Sequence, residues 1–558
     1  VIFFILGAGI LSRLFFLQVI ERKLFESQAL GQQIGVAKVT GSRGQVFCQS
    51  SQTSKGGFGT GEIKSLAANK ESWTIFANPE KIEDKEAFAK LLSPLIEESE
   101  EDIIFKLDAT SNYVILKREL TEEEILEIRN LELKGLSWEK VSDRFYPQGE
   151  LGSQVVGFLG GEKIGQYGIE GFYDELLQGK TGIKEEKSGL DSLFSSANEL
   201  SLEGSDIYLT IDYNIQFQAE SILERAGEKL SMESGQIIVM KPDSGRILAI
   251  ANYPNFDPNN YSKERDLEIF QNSTVQKLFE PGSIMKPFTM AAAINEGKIT
   301  KDSTYVDEGF LKFGKDQIHN FANEVYGTQT MTQVLENSIN TGAVYAQKQI
   351  SHDTFLDYLD KFGFFKKTGI DLQGEVYSRN ELLKIGPDFN FATASFGQGI
   401  ELTPIQIATG FCSLANGGKM VKPYIVDKII NGDDVLYINP GAGEQVLSKQ
   451  TVSQVTSMLV NVVDNGFNSV AKIPGYYLAG KTGTAQVPLK NGKGYEPDKT
   501  IQSFVGYGPA YNPQFLILVK LDDPKVSKSA LSAVPVFKEL AQYIINYWKL
   551  APDYSTGL

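Results

Sequence analysis

The sequence is poor in the residues that most often build a catalytic centre. Its 558 residues include two cysteines, Cys48 and Cys412, and two histidines, His319 and His352. Two cysteines so far apart exclude a disulfide framework, though not a single bridge. Two histidines without ligand spacing exclude a zinc site built from Cys and His, and the expectation is no metal and no cofactor. A Ser-His-Asp machine would have to use one of these histidines. Neither lies in a recognisable setting, so the base must be sought among other side chains. Basic residues are also outnumbered, 54 Lys and Arg against 70 Asp and Glu, for a formal charge of -16. A chain this acidic, without Lys and Arg interleaved with aromatics, is a poor candidate for tracking a phosphate backbone, and no nucleic-acid partner is expected. Internal repeats are absent, as are long uncharged apolar runs beyond the first 20 residues.

What is present describes an ordered, multi-domain chain. Apolar residues make up 42% and charged residues 22%, and the length allows several hydrophobic cores. Val1 to Leu11 is wholly apolar or glycine, Ser12 and Arg13 interrupt it, and Leu14 to Ile20 resumes the apolar run. We read 1–20 as the outer portion of a transmembrane anchor truncated at its start, with Arg13 snorkelling to the exit interface. The alternative is the h-region of a cleaved signal peptide, disfavoured because no small-x-small site follows. The reading implies a single-pass protein of the bacterial cytoplasmic membrane, its bulk on the extracytoplasmic side.

Residues 21 to about 40 read as a polar helical stalk, and 41–62 as loop or short strands. Residues 78–134 read as short charged helices, with Thr121 capping Glu122–Glu124, and 183–206 as linker. Beyond residue 207 apolar strand patterns dominate. Ile207–Ile211, Gly235–Met240 and Arg246–Ile250 read as strands, the last two as a hairpin across Pro242–Gly245. A helix fills 214–230. Tyr477–Gly480, Ile501–Tyr507 and Gln514–Val519 are later strands, and Ser532–Trp548 a final helix. The pattern predicts an α+β fold, one antiparallel sheet with strands from both ends of the domain and helices packed on it.

Three short segments carry residues suited to chemistry. In Glu280-Pro281-Gly282-Ser283-Ile284-Met285-Lys286, Pro and Gly precede a helix-like run, so Ser283 lies near a helix start and Lys286 shares its face. A serine there benefits from the positive helix end. A lysine beside it acts as base only if desolvation or neighbours lower its pKa. Ser-x-x-Lys alone also describes an N-cap serine on a surface helix. Ser338 and Asn340, two apart, can point the same way from a turn. Lys481-Thr482-Gly483-Thr484 follows a strand pattern, with Gly483 opening a place for a substrate backbone at a strand edge. The order of the three segments and the shortage of histidine raise the joint signal.

Together they resemble the set found in penicillin-binding proteins and serine β-lactamases. The chain resembles a class B penicillin-binding protein, most like the division-specific, septal peptidoglycan D,D-transpeptidases. Further segments carry the likeness: Arg43-Gly44, Arg144-Phe145-Tyr146-Pro147, Gly168-Ile169-Glu170-Gly171, Ser395-Phe396-Gly397-Gln398-Gly399 and Leu402-Thr403-Pro404. The resemblance implies a transpeptidase domain of the penicillin-binding/β-lactamase-like type over 201–548, an elongated accessory (pedestal, dimerisation-type) domain over 21–200, the anchor over 1–20 and a tail over 549–558. It implies that Ser283 is acylated by stem peptides ending in D-Ala-D-Ala and by β-lactams. Lys286 would activate it, Ser338 relay a proton and Asn340 hold the peptide. Lys481, Thr482 and Thr484 would bind the terminal carboxylate. The backbone N–H groups of Ser283 and Thr484 would form the oxyanion hole. It also implies partners: a multi-pass membrane glycosyltransferase, other division-complex proteins and the cytoplasmic membrane. The alternatives are an elongation-type transpeptidase, a penicillin-binding sensor or a non-catalytic component of the division machinery. Two features depart from the family pattern, Cys48-Gln49 after Arg43-Gly44 and Gly363-Phe364-Phe365 before Lys366. The early Lys367-Thr368-Gly369 is expected to be a decoy.

Overall fold

A computed structural model of the protein describes residues 36–50, 61–108, 111–185, 203–441, 443–466, 469–489 and 494–555. The chain divides into two compact units, one comprising Val1–Gln45, Ala67–Pro147 and Gln178–Ser205, the other Val46–Leu66, Gln148–Leu177 and Asp206–Leu558.

The larger unit is α+β. Its main sheet has five antiparallel strands, β1 (Ser234–Met240), β2 (Ile247–Tyr253), β3 (Ala479–Pro488), β4 (Tyr495–Gly508) and β5 (Phe515–Asp522). Their order across the sheet is β2-β1-β5-β4-β3. Early and late strands therefore meet where β1 pairs with β5, Ile238 opposite Leu518, and β3 is an edge. Its helices include α1 (Tyr213–Leu230), α2 (Lys286–Asn295), α3 (Asn340–Lys348), α4 (Pro404–Ala415), α5 (Lys449–Asn465) and α6 (Ala533–Tyr547). Ile237, Val239, Phe504, Ile517 and Val519 share a core with α1 and α6, while α4 packs against β1 and β5, and α5 against β3. A sheet covered on both faces needs apolar residues at successive positions, which is why Ile237–Met240 and Phe515–Val519 read as unbroken runs.

One strand went elsewhere than its pattern suggests. Asp206–Asp212 is outside this sheet, pairing antiparallel with Val426–Asn431 and parallel with Val46–Gln49. Its partner Val-Asp-Lys-Ile-Ile-Asn mixes charge with apolar residues and gives little strand signal. Cys48 is wholly buried in that sheet, and burial first, then the Asp212 charge, pushes its thiol up to about 12. Cys412, buried in α4, is displaced in the same direction by burial. Neither thiol is a nucleophile at neutral pH.

In the smaller unit, strand Ile63–Ala77 pairs over residues 68–77 with Leu136–Phe145 and over 73–77 with Val114–Leu120. Helices Lys85–Ile96, Glu100–Leu107 and Glu122–Arg129 supply Phe88, Leu92, Ile103 and Ile125 to one core. The expected Thr121 cap is present as a reciprocal capping box with Glu124.

The membrane-anchor helix, and the single-pass location in the cytoplasmic membrane that rested on it, are corrected. Among the described residues no helix is long and apolar enough to cross a membrane. A span requires about 20 consecutive, mostly apolar residues. The 18 residues of α1 include Glu220, Glu224, Arg225, Glu228 and Lys229. Residues 1–20, on which the expectation fell, lie outside the described residues, as do the expected stalk over 21–35 and the linker residues 186–202.

Phe537 of α6 is fully buried, its ring centroid 4.5 Å from that of Phe504. Phe537→Ala is expected to destabilise the larger unit by about 3–5 kcal/mol, read from the denaturant midpoint of its unfolding transition.

Candidate active site

Ser283 begins where the chain turns sharply. Gly282 has φ +59, a conformation open to glycine at little cost, and a Cβ there would stand 2.8 Å from the Thr484 carbonyl oxygen. The 3-10 turn Gly282–Met285 then runs into α2. Every residue from Lys286 to Ile294 is buried, the pattern of a central helix enclosed on all sides. Phe288 packs against Phe362, Phe364 and Phe411 with centroids 4.9–5.0 Å apart. Lys286 is the one charged side chain of α2. Half-buried Ser283 lines a cavity of about 560 Å³ together with Ser338, Asn340, Thr482 and Thr484.

Two amines converge beside that cavity. Lys286 Nζ donates to the Ser338 carbonyl oxygen, to Ser338 Oγ at 3.2 Å and to Asn340 Oδ1 at 2.8 Å. Lys481 Nζ, from the edge strand β3, donates to the same Ser338 Oγ at 3.0 Å and to the Thr482 carbonyl oxygen at 3.3 Å. Ser338 adopts φ +55, strained for a residue with a side chain by about 1–3 kcal/mol. It links helix Met331–Glu336 to α3, and the turn aims Ser338 and Asn340 at one amine. Asn340 is oriented by donating from Nδ2 to the His319 carbonyl oxygen at 2.9 Å.

Burial dominates the electrostatics. Lys286 is held well below the usual lysine range, by burial first and then by the Lys481 charge. Burial lowers Lys481 to about 7. A neutral amine has two hydrogens and one lone pair. Two of Lys286's partners, the Ser338 carbonyl oxygen and Asn340 Oδ1, can only accept, and they take both hydrogens. The lone pair is left for a hydroxyl.

Gly483 serves a different purpose from the one its position suggests. A Cβ on it would stand 2.4 Å from Ser503 Oγ and 2.8 Å from the Pro281 carbonyl oxygen. The space is filled by the protein's own turn, not left for a substrate. Gly397 completes the packing: its φ is +85, a Cβ would lie 2.1 Å from the Gly282 carbonyl oxygen, and its carbonyl accepts from Gly282 N at 3.0 Å. Sequence reasoning noted Gly397 only as part of a family segment. It missed Ser529, which opens the 3-10 turn Ser529–Leu531, donates to the Gly483 carbonyl oxygen at 2.6 Å and meets Thr484 Oγ1 at 3.0 Å; a lone serine gives no signal. It also passed over His319, which lines the cavity, although the ring's Nε2 meets Gln317 at 3.1 Å. In the decoy, the Thr368 and Gly369 amides donate to Glu375 at 2.6 and 3.1 Å. Among the described residues no group of three or more His, Cys, Asp or Glu side chains could hold a metal ion.

Comparison with known proteins gives concordant matches. A family model described as the penicillin-binding protein transpeptidase domain matches residues 235–542, and one described as the penicillin-binding protein dimerisation domain matches 60–209. Stage V sporulation protein D of Bacillus subtilis is 33% identical over 472 residues, 82% of this chain and 73% of the relative. The peptidoglycan D,D-transpeptidase FtsI of Escherichia coli is 26% identical over 565 residues, 98% and 91% of the two chains. The crystal structure of penicillin binding protein 2X from Streptococcus thermophilus superposes with a TM-score of 0.73 at 20% identity, covering 94% of this chain and 82% of that one.

Gly397→Ala is expected to displace the turn that carries Ser283. Covalent labelling by a fluorescent penicillin should slow at least about tenfold, because a reacting group misplaced by about 1 Å loses up to two orders of magnitude in rate; time-resolved gel fluorescence checks it.

Proposed function

Since this chain belongs to the penicillin-binding protein transpeptidase family, we propose a division of labour among its residues in which Ser283 is the nucleophile. The protein is a serine D,D-transpeptidase related to the septal class B enzymes, an acyltransferase that acts on peptidoglycan stem peptides and binds β-lactams. The observation that carries the assignment of roles is the Ser338 hydroxyl shared by two buried amines.

Ser283 Oγ attacks the carbonyl carbon of the penultimate D-alanine, and neutral Lys286 takes its proton. The negative oxygen that forms is met by the backbone N–H groups of Ser283 and Thr484, each donor worth a few kcal/mol in comparable acyl transfers. The C–N bond to the terminal D-alanine then breaks. Its nitrogen receives the proton from Lys286 by way of the Ser338 hydroxyl, D-alanine departs, and an ester on Ser283 remains. An amine of a second stem peptide attacks that ester and returns a proton along the same path. The new amide is the cross-link, and Ser283 is regenerated. Asn340 holds Lys286 and the substrate amide. Lys481, Thr482 and Thr484 bind the terminal carboxylate, while the free side of β3 receives the extended peptide as an added strand.

The chemistry belongs to residues 201–548 in this reading, with 21–200 as accessory domain and 549–558 as tail. Glycan polymerisation comes from a separate partner, a multi-pass membrane glycosyltransferase, within the division complex.

The full chain should be labelled covalently by a fluorescent penicillin, and Ser283→Ala should lose the label; equal labelling of the variant would overturn the assignment. The acylation rate should fall as pH drops, because the base is the unprotonated Lys286. Below about 7, Lys481 is charged and repels a proton on Lys286. In Lys481→Met that repulsion is gone and Lys286 binds its proton more readily. The acid limb of the acylation–pH profile should therefore move to higher pH, whatever the maximal rate. A limb that stays in place would separate Lys286 from the base role.

A further inference from the structure

Helix α3, which begins with Asn340, has no cap of its own. The cap position is Ile339, whose side chain makes no capping hydrogen bond, and the first N–H groups of a helix need partners. Asn320, from another segment, supplies one. Its Oδ1 accepts from Asn340 N at 3.1 Å and from Thr341 N at 3.2 Å. Asn320 is oriented in turn by Asp307, whose two carboxylate oxygens accept from Asn320 Nδ2 at 3.0 and 2.9 Å. Asp307 closes strand Thr304–Asp307, is 2% exposed and stands outside every segment that marked the site in the sequence. It also accepts from Thr341 Oγ1 at 2.5 Å, Tyr326 N at 2.8 Å and Gly309 N at 3.1 Å. Burial pushes the carboxyl up, but the hydrogen bonds from Thr341, Tyr326, Asn320 and Gly309 outweigh it and keep the group below the usual range. A full negative charge therefore sits one residue removed from the positive end of α3, a favourable arrangement.

We propose that Asp307 is a positioning residue for the acylation step: acting through Asn320, it fixes Asn340 against Lys286. The proposal rests on the roles given above to Lys286 and Asn340. Its physical content is directional. Asn340 Oδ1 takes one of the two hydrogens of neutral Lys286, so a fixed Asn340 fixes where the lone pair of the base points. The same carboxylate, through Tyr326 N, ties down the stretch from which Phe321, Glu324 and Tyr326 line the cavity. An amide at 307 cannot do this, because its NH2 would face donors. The backbone cap on Asn340 and Thr341 would then loosen, and Asn340 would shift with the start of α3, moving the lone pair of Lys286 with it.

The test compares Asp307→Asn with the unaltered chain. The labelled fraction at completion, the rate constant at saturating fluorescent penicillin, the half-saturating concentration and Tm are all measured. The expected result is near-complete labelling with a rate constant lowered about tenfold to a hundredfold, the range for a misaligned catalytic group, and little change in half-saturation. A merely structural role predicts the opposite split, a smaller labelled fraction and lower Tm with an unchanged rate constant in the molecules that react, and that result overturns the proposal. If Asp307→Asn does not fold, Asn320→Ala decides by the same measurements: a slowed rate constant with full labelling supports the proposal, and an unaltered rate constant or failure to fold overturns it. If the unaltered chain does not label, or if Ser283→Ala labels equally, the failure belongs to the underlying assignment of Ser283 and not to Asp307.

Discussion

Lys286 and Lys481 end on one serine oxygen, at 3.2 and 3.0 Å, and both side chains are fully buried. The side chains that their nitrogens meet are a serine, an asparagine and a threonine, none of them charged. An ammonium taken from water without a counter-ion costs so much that it sheds its proton instead. A carboxylate of the protein's own fixed against Lys286 would reverse the effect and hold that amine charged. The site therefore depends on what has been kept away from it as much as on what it contains. An enclosed apolar helix delivers one lysine and the strand at the sheet's edge delivers the other, so neither amine reaches bulk water.

Bringing an edge strand against a helical turn demands the removal of side chains at the seam. Gly282, Gly397 and Gly483 do this, each with another backbone oxygen within 2.1–2.8 Å of where its Cβ would be. The backbone of β3 can then lie against the turn that carries Ser283, where a Cβ on Gly282 would stand 2.8 Å from the Thr484 carbonyl oxygen. Among the described residues the other side of β3 has no strand partner. An unpaired edge is ordinarily a liability; in the proposed function it serves as the template for an extended peptide.

The sequence read best where packing and chemistry agree. The strands Gly235–Met240 and Gln514–Val519, the helix 214–230 and the final helix are apolar runs whose periodicity survives burial, and each lies within a few residues of its expected bounds. Ser283 and Lys286 were legible because a helix fixes their relation at three residues. The rest was hidden for physical reasons. β3 begins at Ala479 and continues through Lys481, Thr482 and Thr484, polar residues that conceal a strand; Thr482 and Thr484 line the cavity and Lys481 is buried beside it. Asp307, Asn320 and Ser529 reach the site across long sequence separations, and one Asp, Asn or Ser has no pattern to detect. Gly483 was assigned space for a substrate because its sequence neighbours cannot reveal that Pro281 already fills that space. The apolar segment at the start of the chain lies outside the described residues, and none of the described helices has the character it was expected to have.

In the proposed mechanism, the environment that lowers Lys286 acts equally on the second substrate. A transpeptidase accepts an amine, and an amine in neutral water is almost wholly protonated and has no lone pair to attack with. Moving it from water to a cavity beside two buried lysines subjects it to the desolvation that lowers Lys286 and, whenever Lys481 is protonated, to like charge as well. Both favour the neutral form. Activation of the acceptor thus need not await a dedicated carboxylate. Water gains nothing comparable, because its protonation is not what limits it. On this argument the pairing of buried lysines around Ser338 does two jobs with one device: it frees a base to make the acyl-enzyme, and it biases the fate of that ester towards amines.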